Sequence, residues 1–406
     1  MSLYYRTWFN KSKQRLENSS HRCIHNFSYM KGRIGVFANR AYAEGDVIFE
    51  EKPVVSCQYS WNADYGYLAC DYCMRPLETA EQNVQRLSDD PTIILPHPEC
   101  CDTAIELITE CQDCGTKYCC IECREEAYQK YHSTLCLRSR EKPDSHPLVQ
   151  LNEMWKQIQY PPETATIMLI VRMVALVNQA SNKEEILSTF AQFCHRTVND
   201  TDEIAHTLLG EKFVAQIDTV REMSNVYIYF DLQWFTPDGF RSMLALIGTN
   251  GQGIGTTAFG RWVQNVSALE LPIPERIQID KLIDKCYEQM GEVVGCFLNN
   301  EGSGLYVLQS KINHSCTPNA IVEFPNYNNV LVVKALKHIQ PNDEICISYL
   351  HECDLERGRY TRQKKLSSFY LFVCRCDKCL AQACDPDVTS EDEDDDDDEE
   401  DDMDDM

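Results

Sequence analysis

The sequence predicts an α+β protein in which strand-forming segments near the two ends of a 406-residue chain flank a metal-binding module and a helical stretch. Three observations predict it. A ladder of seven cysteines and one histidine runs from Cys70 to Cys136. Apolar residues recur at three- and four-residue spacing between 147 and 290. Alternating apolar residues bracket tight turns before the ladder and after the helices.

Composition bounds the possibilities. The chain is long enough to bury a substantial core. No run approaches the roughly 18 apolar residues a membrane span needs; the longest, Ile167 to Val177, is broken by Arg172 and suits a buried helix. Met1 to Asn10 lacks the charged-then-apolar pattern of a signal peptide, so an intracellular, reducing location is expected, nuclear or cytoplasmic. There, 22 cysteines call for metal binding before disulfides. The net charge of −25 is uneven. Glu391 to Met406 holds 14 acidic groups, which leaves −11 (38 basic minus 49 acidic) for the other 390 residues. Such a block is expected to be disordered. It serves either as a solubilising tail or as an electrostatic lure for a basic protein. The same sign disfavours direct contact with nucleic acid phosphates.

Taken in order, Lys31 to Ala38 and Val47-Ile48-Phe49 surround the turn Glu44-Gly45-Asp46 and read as strand, hairpin, strand. Gly32 and Gly35 would let the backbone approach a ligand closely. The ladder follows, and its pairs are Cys70/Cys73, Cys111/Cys114, Cys119/Cys123 and His132/Cys136. Interleaved, they fill two closed tetrahedral zinc sites: Cys70, Cys73, Cys119 and Cys123 in one, Cys111, Cys114, His132 and Cys136 in the other. Closed sites leave no position for water and are structural. The 37-residue gap from Cys73 to Cys111 reads as an insertion with a helix over Glu78 to Leu87, and its Cys100 and Cys101 are possible competing ligands.

Helices are expected from Pro161-Pro162-Glu163 through Val177, over Lys183 to Cys194 and over Thr236 to Leu246. The glycines from Gly248 to Gly255 lack the Lys-Ser or Lys-Thr of a phosphate loop and read as a flexible loop. Tyr306 is expected to begin the strand leading to Asn313-His314-Ser315-Cys316, and Ile347-Ser348-Tyr349 follows. Cys374, Cys376 and Cys379 supply three of the four thiolates zinc needs, and Cys316 is the fourth candidate. That metal would tie the C-terminal segment back over Asn313, His314 and Tyr349. Arg357, Arg359, Arg362, Lys364 and Lys365 read as a solvated basic helix face, with a nuclear import signal as the weaker alternative.

The order of these motifs resembles a SET domain interrupted by a MYND zinc finger, and the chain is identified as a member of the SET-and-MYND lysine methyltransferase family, in a short form with an acidic tail. The resemblance implies a β-rich SET domain in two parts, 22–69 and 291–350. A MYND finger at 70–136 and a helical insert at 147–290 separate them; a post-SET zinc segment at 351–382 and the tail at 383–406 follow. It implies S-adenosylmethionine as cofactor beside three zinc ions. Arg33, Ile34, Gly35, Asn313, His314, Tyr349 and Phe372 would then contact the cofactor. Tyr349 and Tyr370 would line the lysine channel as catalytic residues, with Phe372 over the adenine. The family usually shows G-x-G, whereas two residues separate Gly32 from Gly35 here. Implied partners are a basic protein substrate, a histone or a ribosomal protein, and peptides held by the finger; a monomer is expected. Two other readings of the same motifs are a catalytically inactive interaction scaffold and an acidic chaperone for basic proteins.

Overall fold

A computed structural model describes residues 35–158, 165–199, 204–210, 216–222 and 233–386. Arg33, Ile34, Pro161-Pro162-Glu163 and the acidic run from Glu391 lie outside them. The strands are β1 (Val36–Phe37), β2 (Val47–Glu51), β3 (Val55–Gln58), β4 (Thr109–Glu110), β5 (Lys117–Tyr118), β6 (Gln252–Thr256), β7 (Asn300–Leu305), β8 (Asn313–His314), β9 (Ala320–Glu323), β10 (Leu331–Ala335) and β11 (Glu344–Ile347). The longer helices are α1 (Ala80–Leu87), α2 (Ile121–Ala127), α3 (Pro147–Ile158), α4 (Ile167–Gln179), α5 (Lys183–Phe190), α6 (Pro237–Asn250), α7 (Ala258–Ser267), α8 (Ile273–Val294), α9 (Arg359–Tyr370) and α10 (Asp377–Ala381).

Three small sheets form the core, ordered β1-β11-β8, β2-β10-β9 and β3-β7-β6. Each joins an early strand to late ones, so the interruption between them is spanned by backbone pairing. Val36, Ile48 and Phe49 meet Leu331, Val333 and Ile345 in one buried cluster. The expected hairpin between β1 and β2 is absent: β1 pairs with β11 and β2 with β10. The turn itself is as expected, with Gly45 at φ +84°, a conformation that favours glycine. Its amide donates to the Ala335 carbonyl, which seats the turn on β10 instead of closing a hairpin.

Between Leu77 and Ile108, which still pack with the cysteine module, the chain leaves it. Thr79 and Gln82 form a capping box that starts α1. Val84 and Leu87 of α1 then pack with Trp262 of α7 and Ile279 and Met290 of α8. Cys100 joins that apolar cluster and the Cys101 sulfur accepts the Ala80 amide. Neither competes as a ligand, which corrects the expectation.

Helix α4 is the central strut. Thr166 caps it, and Ile167, Leu169, Ile170, Val171, Met173, Val174, Leu176 and Val177 are all buried. At roughly 1.5–3 kcal/mol each, these side chains outweigh the several kcal/mol that burying one guanidinium costs. That guanidinium, Arg172, donates to the carbonyls of Ser56 and Asp71, to the Tyr131 hydroxyl and to the Asp71 carboxylate. Asn182 caps α5, which ends at Phe190, short of the expected Cys194.

The glycine run is also corrected. Gly251 closes α6, and Gln252–Thr256 forms β6 against β7. A Cβ at Gly251 would lie 2.5 Å from the Ile247 carbonyl oxygen, so the close turn between helix and strand needs glycine. Tyr306 follows β7 instead of opening a strand; it is fully buried and its hydroxyl donates to the Asn329 carbonyl at 2.6 Å. No helix among the described residues is long and apolar enough to cross a membrane.

Candidate functional site

The three cysteine groups assemble as their spacing implies. Cys70, Cys73, Cys119 and Cys123 converge, as do Cys111, Cys114, His132 and Cys136, and Cys316, Cys374, Cys376 and Cys379; within each group all ligand atoms lie within 4.8 Å of one another. Sulfur separations of 3.6 Å (Cys73–Cys119), 3.8 Å (Cys111–Cys136) and 3.6 Å (Cys316–Cys379) suit a tetrahedron. Zinc–sulfur bonds of about 2.3 Å give an edge of about 3.8 Å. The donor sets therefore fit zinc, and all four positions of each are protein atoms.

Local backbone explains the first two groups. The Cys70 amide donates to the Arg75 carbonyl while the Met74 amide returns to Cys70; Cys111 repeats this with Thr116 and Gly115. Both knuckles need a positive φ at the fifth residue, supplied by Gly115 (+74°) and, without glycine, by Met74 (+63°). Met74 tolerates it because its side chain is buried in the strand core and its carbonyl accepts the Thr256 hydroxyl. Burial pushes the His132 imidazole below its usual range, which keeps it neutral as a metal ligand must be. Beside the first group lies a cavity of about 480 Å³, lined by apolar Val54, Leu77, Leu107 and Val330 with Lys52 and Arg75 among its polar groups.

The third group sits against the aromatic residues. β8 runs parallel to β11, with Asn313 opposite Cys346 and His314 opposite Ile347. This pairing sets Asn313 and His314 beside Tyr349, which follows β11. The Tyr349 amide donates to His314 Nδ1 at 2.9 Å. Nδ1 therefore carries no proton, and the neutral ring holds its proton on Nε2, 3.3 Å from Cys316 Sγ. One imidazole thus links the Tyr349 backbone to a candidate metal ligand, and both its nitrogens are occupied. The side chain of His314 is thereby held by two internal contacts.

The Tyr349 hydroxyl donates to the Ile312 carbonyl at 2.6 Å, and the Tyr370 hydroxyl to the Tyr349 carbonyl at 3.2 Å. Ring centroids of Tyr349 and Tyr370 are 4.7 Å apart; Phe372 stands edge-on to Tyr349 at 6.1 Å. Burial pushes the Tyr370 phenol up to about 12 and raises that of Tyr349 further. Asn313 Nδ2 donates to Glu344 Oε1 at 2.6 Å. Gly35 lies against that pair, where a Cβ would be 2.7 Å from Glu344 Oε1 and 3.0 Å from Asn313 Nδ2. Gly35 is thus the residue that leaves room for the Asn313–Glu344 pair beside the aromatic cluster.

Several contributors were not singled out from sequence. Glu51, at the end of β2, accepts the amides of Leu308 and Gln309 at 2.9 Å and so holds the turn that leads to Ile312. Burial raises its carboxyl and those two amides oppose the shift. Lys311 donates to the Gln192 carbonyl and binds the segment after α5 to the same turn. Arg362 is wholly buried against the third cysteine group, and Lys365 pairs with Asp354 at 2.7 Å, so the supposed solvated face of α9 is partly internal. No signal in the bare sequence distinguishes these charges from surface ones.

Comparison with known proteins bears on the family. The SET domain profile matches residues 33–350. The chain is 50% identical over 368 residues to the Gallus gallus protein-lysine N-trimethyltransferase SMYD5, covering 90% of this chain and 87% of that one. The Homo sapiens protein of the same name is 50% identical over 367 residues, covering 90% and 88%. A Dictyostelium discoideum SET and MYND domain-containing protein is 22% identical over 336 residues, covering 82% and 77%.

Proposed function

Because the chain belongs to the SET-domain family, in its SET-and-MYND branch, we propose that it transfers methyl groups from S-adenosylmethionine to lysine side chains of a basic protein. The observation that carries the reading is the half-buried Tyr349–Tyr370–Phe372 cluster packed beside the Asn313-His314 strand. S-adenosylmethionine supplies a methyl group on a positively charged sulfur. The lysine amine attacks that carbon as the carbon–sulfur bond breaks, and the nitrogen then loses a proton.

Free lysine is protonated at neutral pH, with a pKa near about 10.4, so the site must favour the neutral amine. Walls of Tyr349, Tyr370 and Phe372 exclude water and disfavour the ammonium form. Hydroxyl and carbonyl oxygens around Tyr349 align the nucleophile, and alignment lowers much of the barrier. Gly35, Asn313 and the backbone of His314 are the contacts we assign to the cofactor from the described residues; Arg33 and Ile34 would extend them, and Phe372 covers the adenine. Three zinc ions, held by Cys70/Cys73/Cys119/Cys123, Cys111/Cys114/His132/Cys136 and Cys316/Cys374/Cys376/Cys379, are structural.

The relatives are named for trimethylation, and we extend that product to this chain. A histone or ribosomal protein suits the acid-rich sequence. The chain would act as a monomer inside the cell. The cavity beside the first cysteine group supports a second role, holding a partner peptide on the finger.

The test is transfer of labelled methyl to histones and ribosomal proteins by wild type and Tyr349→Phe. Label on a defined lysine that is lost in the variant supports the reading. No transfer by a zinc-replete wild type would favour the scaffold.

A further inference from the structure

Arg362 has no exposed surface, although it lies in the first turn of the charged helix α9. Its Nε donates toward Cys316 Sγ at 3.4 Å; Nη2 reaches Cys379 Sγ at 3.6 Å and Gln382 Oε1 at 2.7 Å; Nη1 donates to the Arg357 carbonyl. No carboxylate among the described residues forms an ion pair with it. A buried guanidinium without a counter-charge is strongly unfavourable. Four thiolates around a divalent cation carry two negative charges, so the cysteine group is itself the counter-charge. The two sulfurs touched come from opposite ends of the construction: Cys316 follows β8 in the strand core, and Cys379 lies in the C-terminal α10.

We infer that Arg362 is a positioning residue that latches the C-terminal segment onto the core through these two sulfurs, slowing metal release and holding Tyr370 and Phe372 over Tyr349. Tyr370 ends the helix that carries Arg362, and Phe372 lies two residues before Cys374, so the aromatic lid is strung between the latch and the metal. The inference rests on the reading that the third cysteine group holds zinc.

The test uses the full chain as wild type, Arg362→Met and Arg362→Lys. Zinc content is measured first, then chelator-driven zinc release and the KM for S-adenosylmethionine. Arg362→Met should lose one zinc equivalent about 10- to 100-fold faster, the range seen when a group supporting a metal ligand is removed. The other two equivalents should leave at the wild-type rate. Arg362→Lys, charged but unable to span both sulfurs, should fall between, and KM should rise in the same order. Should Arg362→Met fail to fold, Arg362→Lys carries the comparison. Wild-type release in either folded variant, or equal acceleration of all three equivalents, would overturn the latch. A wild type holding only two zinc ions would remove the metal reading first, before any variant is compared.

Discussion

Single residues here are set by what their second atom touches. His314 looks from its motif like a cofactor contact, yet one ring nitrogen accepts from Tyr349 and the other faces Cys316. Replacing it by Ala would leave the half-buried Tyr349 amide without its partner, at a cost toward the lower end of about 1–3 kcal/mol. Denaturant unfolding of His314→Ala should show that loss together with weaker zinc retention. Wild-type stability with wild-type zinc content would mean that the imidazole is dispensable. The tyrosines give a pH expectation. The Tyr370 phenol is raised by burial to about 12, whereas an unfolded tyrosine titrates near about 10. Its contribution is therefore full below about pH 10 and lost as pH rises through about 12. The fall in unfolding free energy across that window should be shallower in Tyr370→Phe; equal slopes would mean that the phenol titrates normally. The cysteine ladder was legible because metal chemistry dictates ligand type and spacing. Arg362 and Glu344 were not, since a charge reveals its partner only after helix and strand bring the two together.

Elements were legible where period or caps were strong and illegible where pairing alone makes them. Helix α4 follows from an apolar run, and α1 from the helical pattern over Glu78 to Leu87, where the structure adds the Thr79–Gln82 capping box. β6, with the sequence Gln-Gly-Ile-Gly-Thr, has almost no strand propensity and exists because β7, itself glycine-rich, lies alongside it. Thin strands permit this close packing. A Cβ at Gly302 would collide with the Cys57 carbonyl oxygen and with Met74 of the first knuckle. Gly302→Ala should cost about 1–3 kcal/mol as overpacking, read as a lower unfolding midpoint. An unchanged midpoint would show the sheet to be looser than its spacing implies. The early strands were misjoined for a related reason. A turn signal says where the chain reverses but does not name the strand that pairs with the next segment.

At the scale of the molecule, the split core and its insertion are joined by buried polar contacts as well as by sheets. Arg172 reaches from α4 to β3 and to Asp71, between the first two cysteine ligands. Arg172→Met would leave the half-buried Asp71 carboxylate with the Tyr131 hydroxyl alone, and should cost less than the about 3–5 kcal/mol of a fully buried pair. A melting temperature within error of wild type would argue against the clamp. A tail of such charge would act over longer range. Deleting Glu391–Met406 removes 14 of the charges behind the net −25. It should slow association with a basic protein at low salt and change nothing near 1 M, where screening acts within about 3 Å. The clamp has another consequence. Excised as residues 70–136, the finger could fold around its metals yet present Asp71 and Tyr131 to water. A core spliced across the gap would enclose a guanidinium deprived of three of its acceptors. The cysteine-rich module is therefore not a transplantable cassette: a substitution on either face of the clamp is answerable to the other face.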